Sequence, residues 1–121
     1  PWGNEPPDRT RFKVSDNEDR YCPACPGKVG QFPNGASPFG VQDMVGNVLE
    51  WVGDYIGPYP SQAQTNPTNT PYEGEGRDRA IRGGHGGLSP KNALDARATL
   101  RHATPGSWTH FSVGFRCVTS I

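Results

Sequence analysis

FGVQDMVGNVLEW, residues 39–51, decides how this chain is read. Its apolar residues follow neither the 3.6-residue period of an amphipathic helix nor the alternation of a half-buried strand. Asp43 and Glu50 stand at the two ends of a Gly46-Asn47 turn, inside otherwise apolar sequence. A hard cation such as calcium takes six to eight oxygens from carboxylates and backbone carbonyls. Asp43 and Glu50 would supply carboxylates. Gly46 would supply a positive φ that lets the backbone curl and turn its carbonyls inward. Met44, Val45, Val48 and Trp51 would then pack outward into core. The plainer reading makes Asp43 a turn cap and Glu50 a solvated acid. The segment is not an EF-hand, because it lacks the run of alternating acids.

An ion would matter here because the chain has little else to hold it. Leu, Ile, Val and Phe number 20 of 121 residues, a fraction low enough to raise the question of disorder. Zero formal net charge, three Trp and four Tyr argue for a folded body instead. Sixteen Gly and 13 Pro predict short elements joined by turns, and such a body needs staples. The even charge balance gives no reason to expect nucleic acid or an anionic membrane as partner. No apolar run reaches membrane-spanning length.

Residues 1–38 read as loop, with a short strand at Arg11 to Val14. Residues 57–79 are turn-rich and nearly free of aliphatics, which marks a surface excursion. RAIRGG, 79–84, predicts a short strand stopped by glycines. Residues 92–102 suit a turn or two of helix or a strand. SVGFRCV, 112–118, alternates Val113, Phe115 and Cys117 against Arg116 and Val118, as a half-buried closing strand would. Arg116 is expected to pair with an acid.

Three cysteines, Cys22, Cys25 and Cys117, leave three readings open. One is a disulfide, local or to a segment outside these residues; the second is reduced thiols; the third is metal or redox chemistry. A disulfide leans toward an oxidising compartment, extracellular or periplasmic.

PWGNEPPD, VGQFPNG, FGVQDMVGNVLEWVGD, RAIRGG, ARATLRH and VGFRCV occur in that order from Pro1 to Val118. In this order they resemble the formylglycine-generating enzyme family, also called the sulfatase-modifying-factor domain. The resemblance implies an α+β, loop-rich, C-type-lectin-like fold with short strands and bound calcium. It implies that residues 1–121 are the C-terminal portion of one such domain. It further implies calcium ligands at Asp43 and Glu50 through side chains, and at Gly46 and Val48 through carbonyls. A second family calcium uses an Asn in a segment that here reads TRFKV; Lys13 in its place makes that site electrostatically costly.

The catalytic members resemble copper enzymes with two cysteines shortly after RGG. Leu88 and Ala93 stand there in this chain, and Leu49 replaces a Trp. Copper is therefore not expected. A second branch resembles non-haem iron sulfoxide synthases with a Tyr in an RxxYR-like segment. Leu100 stands at that position between Arg97 and Arg101, and iron is not expected either. The resemblance thus implies a non-catalytic, calcium-stabilised binding or structural module, alone or within a larger assembly. It would present Tyr55, Tyr59, Tyr72 and His85 to a protein or glycan partner, or to the rest of its own domain. The alternative is an oxidoreductase of the same family.

Overall fold

The computed structural model describes residues 1–13, 26–68, 78–84 and 96–119. Among the described residues, a 3₁₀ turn at Pro33–Gly35 is followed by four strands: β1 (Leu49–Tyr55), β2 (Asp78–Arg82), β3 (His102–Pro105) and β4 (Val113–Gly114). They form one sheet in the order β3-β2-β1-β4. β1–β2 and β2–β3 are antiparallel, and β1–β4 is parallel. Chain neighbours pair first, and the parallel strand closes the sheet through a long connection.

β2 is the strand expected in RAIRGG. Ala80 and Ile81 are buried, and Gly83 and Gly84 end the strand at φ of 90° and 65°. Other expectations change. Arg11 to Lys13, the described part of the strand proposed at Arg11 to Val14, belong to a turn and its exit. Asp8 accounts for the turn: its Oδ1 accepts from the Thr10 amide and hydroxyl, and its Oδ2 from Arg11 Nε. The Thr10 bonds, foremost, hold its carboxyl below the usual Asp range. An Asx turn offers the backbone local partners that compete with a ladder.

The closing strand is shorter than the alternation of 112–118 predicts. It pairs only at Val113 and Gly114, against Leu49 and Glu50. Phe115 lies 74% exposed and Cys117 is exposed. The alternating pattern there does not mark a buried face, because the ladder with β1 ends and Arg116 turns to polar partners. β3, by contrast, occupies sequence with little strand character. It is held by four successive pairings with β2.

Besides Ala80 and Ile81 of β2, the buried hydrophobic residues form a cluster outside the strands. Phe12, Val45 and Ala96 are buried together, with Trp2 packed against them. The Trp2 and Phe12 rings stack at 5.9 Å between centroids. Of the four apolar residues around the turn, Val45 reaches the core; Val48 and Trp51 are half-buried and Met44 is exposed. Two glycines permit this packing. A Cβ on Gly35 would sit 1.7 Å from the Arg11 carbonyl oxygen, so backbone meets backbone with no space for any side chain. Gly46 has φ of 77°, and a Cβ there would meet the Lys13 carbonyl oxygen and the Phe12 ring.

Gly35→Ala is therefore expected to cost about 3 kcal/mol, through overpacking that the Arg11 backbone cannot relieve. Urea denaturation of the variant against the parent measures it; an unchanged midpoint would show that the two segments separate easily.

Candidate functional site

The turn between Asp43 and Glu50 does curl as the sequence predicts. Asp43, Gly46 and Asn47 all have positive φ, at 55°, 77° and 63°. Two of the three are not glycine, and side-chain bonds hold them there. Asp43 Oδ2 accepts from the Gly30 amide at 2.7 Å. Asn47 Oδ1 accepts from the Gly27 amide at 2.6 Å. The Gly46 amide donates to the Gly83 carbonyl at 2.7 Å, joining the curl to the end of β2.

Glu50 lies in β1, opposite Gly114 of β4. Arg116 follows Gly114 by two residues, just past the end of β4. Its Nε and Nη2 donate to the two Glu50 carboxylate oxygens at 2.7 and 2.5 Å. Nη1 and Nη2 also donate to the carbonyls of Gln42 and Asp43, both at 2.9 Å. The expected acid partner of Arg116 is thus Glu50. The Glu50 bonds, foremost, raise the Arg116 pKa further above its ordinary value, with the Asp43 charge adding to them. Planar, bidentate pairing of this kind is the strong form of a guanidinium–carboxylate contact.

This geometry bears on calcium. Both Glu50 oxygens are engaged by a guanidinium, and one Asp43 oxygen by a backbone amide. An ion at this carboxylate would have to displace the guanidinium that already stands against it. Among the described residues, no group of three or more His, Cys, Asp or Glu side chains gathers as a metal site.

A second site lies at the far end of β1. A cavity of about 240 Å³ is lined by Val52, Asp54, Tyr55, Tyr59, Arg82 and Arg101, with prolines and glutamines of residues 58–67. Tyr55 and Tyr59, expected from sequence to contact a partner, both belong to it. Tyr55 is half-buried under Arg79, whose guanidinium carbon lies 3.9 Å from the ring centroid. Arg79 also donates to the Tyr55 hydroxyl and to the Gly53 carbonyl. Tyr59 is 65% exposed, with the Arg101 guanidinium 4.0 Å from its ring centroid. Arg82 donates to the Tyr59 hydroxyl at 3.2 Å and to the carbonyls of Ala98 and Leu100 at 2.8 and 3.3 Å.

Sequence reasoning pointed to the tyrosines and missed their arginines. The only hint was Arg79 and Arg82 flanking a buried Ala-Ile pair on β2. Also unforeseen is an aromatic stack of Trp108, His110 and Phe111, with His110 Nδ1 2.6 Å from the Ser112 hydroxyl. Cys22, Cys25, Tyr72 and His85 lie outside the described residues. Cys117 is exposed and makes no disulfide among the described residues. No described helix is long and apolar enough to cross a membrane.

The described residues form a small mixed sheet with few helical residues, and much of the described chain outside it is irregular. The fold matches that of Treponema denticola variable protein 1 with a TM-score of 0.62, at 22% identity, over 88% of this chain and 35% of that one. At that identity the likeness concerns the fold alone. Residues 2–121 match the sulfatase-modifying factor enzyme 1-like domain, and the chain belongs to that family. Among curated proteins it is similar to hercynine oxygenase of Mycolicibacterium smegmatis, 32% identical over 95 residues. The match to hercynine oxygenase of Mycobacterium tuberculosis is 33% identical over 92 residues. Each covers 74% of this chain but only 21% and 20% of the relative, so the chain spans about a fifth of their length.

Arg116→Gln removes the fork that ties β4 to the turn. The pair is partly exposed, with side-chain accessibilities of 35% for Arg116 and 20% for Glu50, so its contribution is discounted for solvent screening. A loss of about 1–2 kcal/mol is expected, lowering Tm by roughly 4–8 °C. Calorimetry of parent and variant checks it; an unchanged Tm would make the clamp incidental.

Proposed function

We propose that this domain is a binding module whose contact surface is the cleft at the end of β1, presented to a protein or glycan partner. The observation that carries the reading is the Tyr55–Tyr59 cleft itself. It combines aromatic faces, guanidinium groups and a carboxylate in one concave site on a sheet-anchored frame. Pockets of this mixed kind, mostly apolar walls with a few convergent polar groups, are where ligands bind. The adjoining residues 58–68 are exposed, as a contact loop requires. Family membership supports the frame; the loops carry the specificity.

Arrays of immobilised oligosaccharides and of immobilised peptides test this directly. The parent is expected to retain members of one class, and Tyr59→Ala to weaken that retention at least tenfold. Retention undiminished in Tyr59→Ala would move the contact surface elsewhere.

Calcium enters this proposal as a competitor of Arg116. Asp43 and Glu50 together bring two negative charges against one guanidinium. Calcium reaches the turn by displacing Arg116 from Glu50, with the Gly46 and Val48 carbonyls as further ligands. Adding millimolar calcium is then expected to raise the Tm of Arg116→Gln more than that of the parent. Equal responses would separate Glu50 from any ion site, and Glu50→Gln should abolish the response altogether.

A second reading, an oxidoreductase of the same family, is favoured by the relatives, whose names are those of an oxygenase. Metal analysis of the dialysed protein separates the two. Copper or iron retained near one equivalent supports the oxidoreductase; calcium without either supports the module.

A further inference from the structure

Among the described residues, three charged side chains line the cleft, Asp54, Arg82 and Arg101, and they are not equivalent. Arg82 is a positioning residue. One of its terminal nitrogens reaches the carbonyls of Ala98 and Leu100, and the other the Tyr59 hydroxyl. It thereby holds the segment that leads into Arg101 and, at the same time, the ring on which Arg101 lies. Asp54 has an interaction of its own within the protein. Arg101 differs from both. Its guanidinium lies over the Tyr59 ring, and among the described residues it donates no hydrogen bond. It is half-buried at the cavity wall, with no buried polar atom there lacking a partner, so its N–H edge meets solvent in the cleft.

A guanidinium stacked on an aromatic ring keeps its plane, and its donors stay arranged as a fork. Such a fork matches the two oxygens of a carboxylate. We infer that Arg101 is the anchor of a ligand subsite for an organic monocarboxylate. Its carboxylate would lie in the plane of the guanidinium, and its apolar body against Tyr55, Pro58, Pro60 and Pro67. Charge selects a monoanion over a dianion. Among the described residues that line the cleft, two guanidiniums stand with one carboxylate, Asp54, a surplus of about one positive charge. A phosphate dianion would meet the same single fork with Asp54 nearby. This assignment rests on the reading of the cleft as the binding surface, and it specifies what the cleft selects.

The test is an NMR titration of the intact chain with three probes of one shape: benzoate, benzamide and phenyl phosphate. Benzoate is expected to move the Arg101 Nε–H and the Tyr59 ring resonances, and to bind at least tenfold more tightly than benzamide. Phenyl phosphate is expected to bind more weakly than benzoate. Arg101→Gln should bring benzoate down to the level of benzamide, and Arg101→Lys should fall between. Should Arg101→Gln fail to fold, the parent's preference among the three probes decides alone. Equal binding of benzoate and benzamide at the cleft would overturn the carboxylate assignment and leave the cleft standing. Tighter binding of phenyl phosphate would also overturn it, making the subsite one for phosphate. Absence of any shift at Arg101 and Tyr59 would remove the cleft as well.

Discussion

One guanidinium ties the closing segment of the chain to the turn and strand at 42–50. Arg116 joins Glu50 of β1 to the carbonyls of Gln42 and Asp43, and the partners are 66 to 74 residues away in sequence. With only five hydrophobic residues in the buried core among the described residues, such a contact matters more than it would in a larger interior. It orients the turn at 43–47, and through the Gly46–Gly83 bond that turn positions the end of β2. β2 in turn carries Arg79 and Arg82, which shape the cleft. The staple and the binding surface are thus connected through one strand.

A guanidinium and a hard cation make the same demand, since both seek carboxylate and carbonyl oxygens in a converging arrangement. That is why the turn could be read from its residues as an ion site while the structure gives Glu50 to an arginine. The acids and the positive φ at Gly46 were visible locally. The identity of the positive partner was not, because Arg116 approaches from a distant segment that no local pattern specifies. That Arg116 would find an acid was legible; which acid required the β1–β4 register.

The same contrast runs through the rest of the fold. RAIRGG announces its own strand, since apolar residues flanked by charge and stopped by two glycines leave few alternatives. β3 has no such signal in HATP and exists because β2 offers it a ladder. The closing segment fails in the opposite sense: it alternates convincingly, yet it pairs with β1 over two residues only. At the cleft, the tyrosines stood out as aromatics among prolines and glycines. Their arginines did not, because a cation over a ring depends on the cross-strand pairing of Arg79 with Tyr55 and on the path of residues 97–101. Local chemistry was readable, and long-range partnership was not.

The 66-residue separation of Glu50 and Arg116 also has a temporal meaning. A ribosome exposes Glu50 well before it makes Arg116. Until then the acid and the 42–43 carbonyls have only water for company, and β1 has an open edge where β4 will lie. Closing so long a loop is slow relative to forming the β1–β2 hairpin. During synthesis the nascent chain therefore passes through a stage with its central strand bare on one side, the condition under which unfinished sheets join to one another or recruit chaperones.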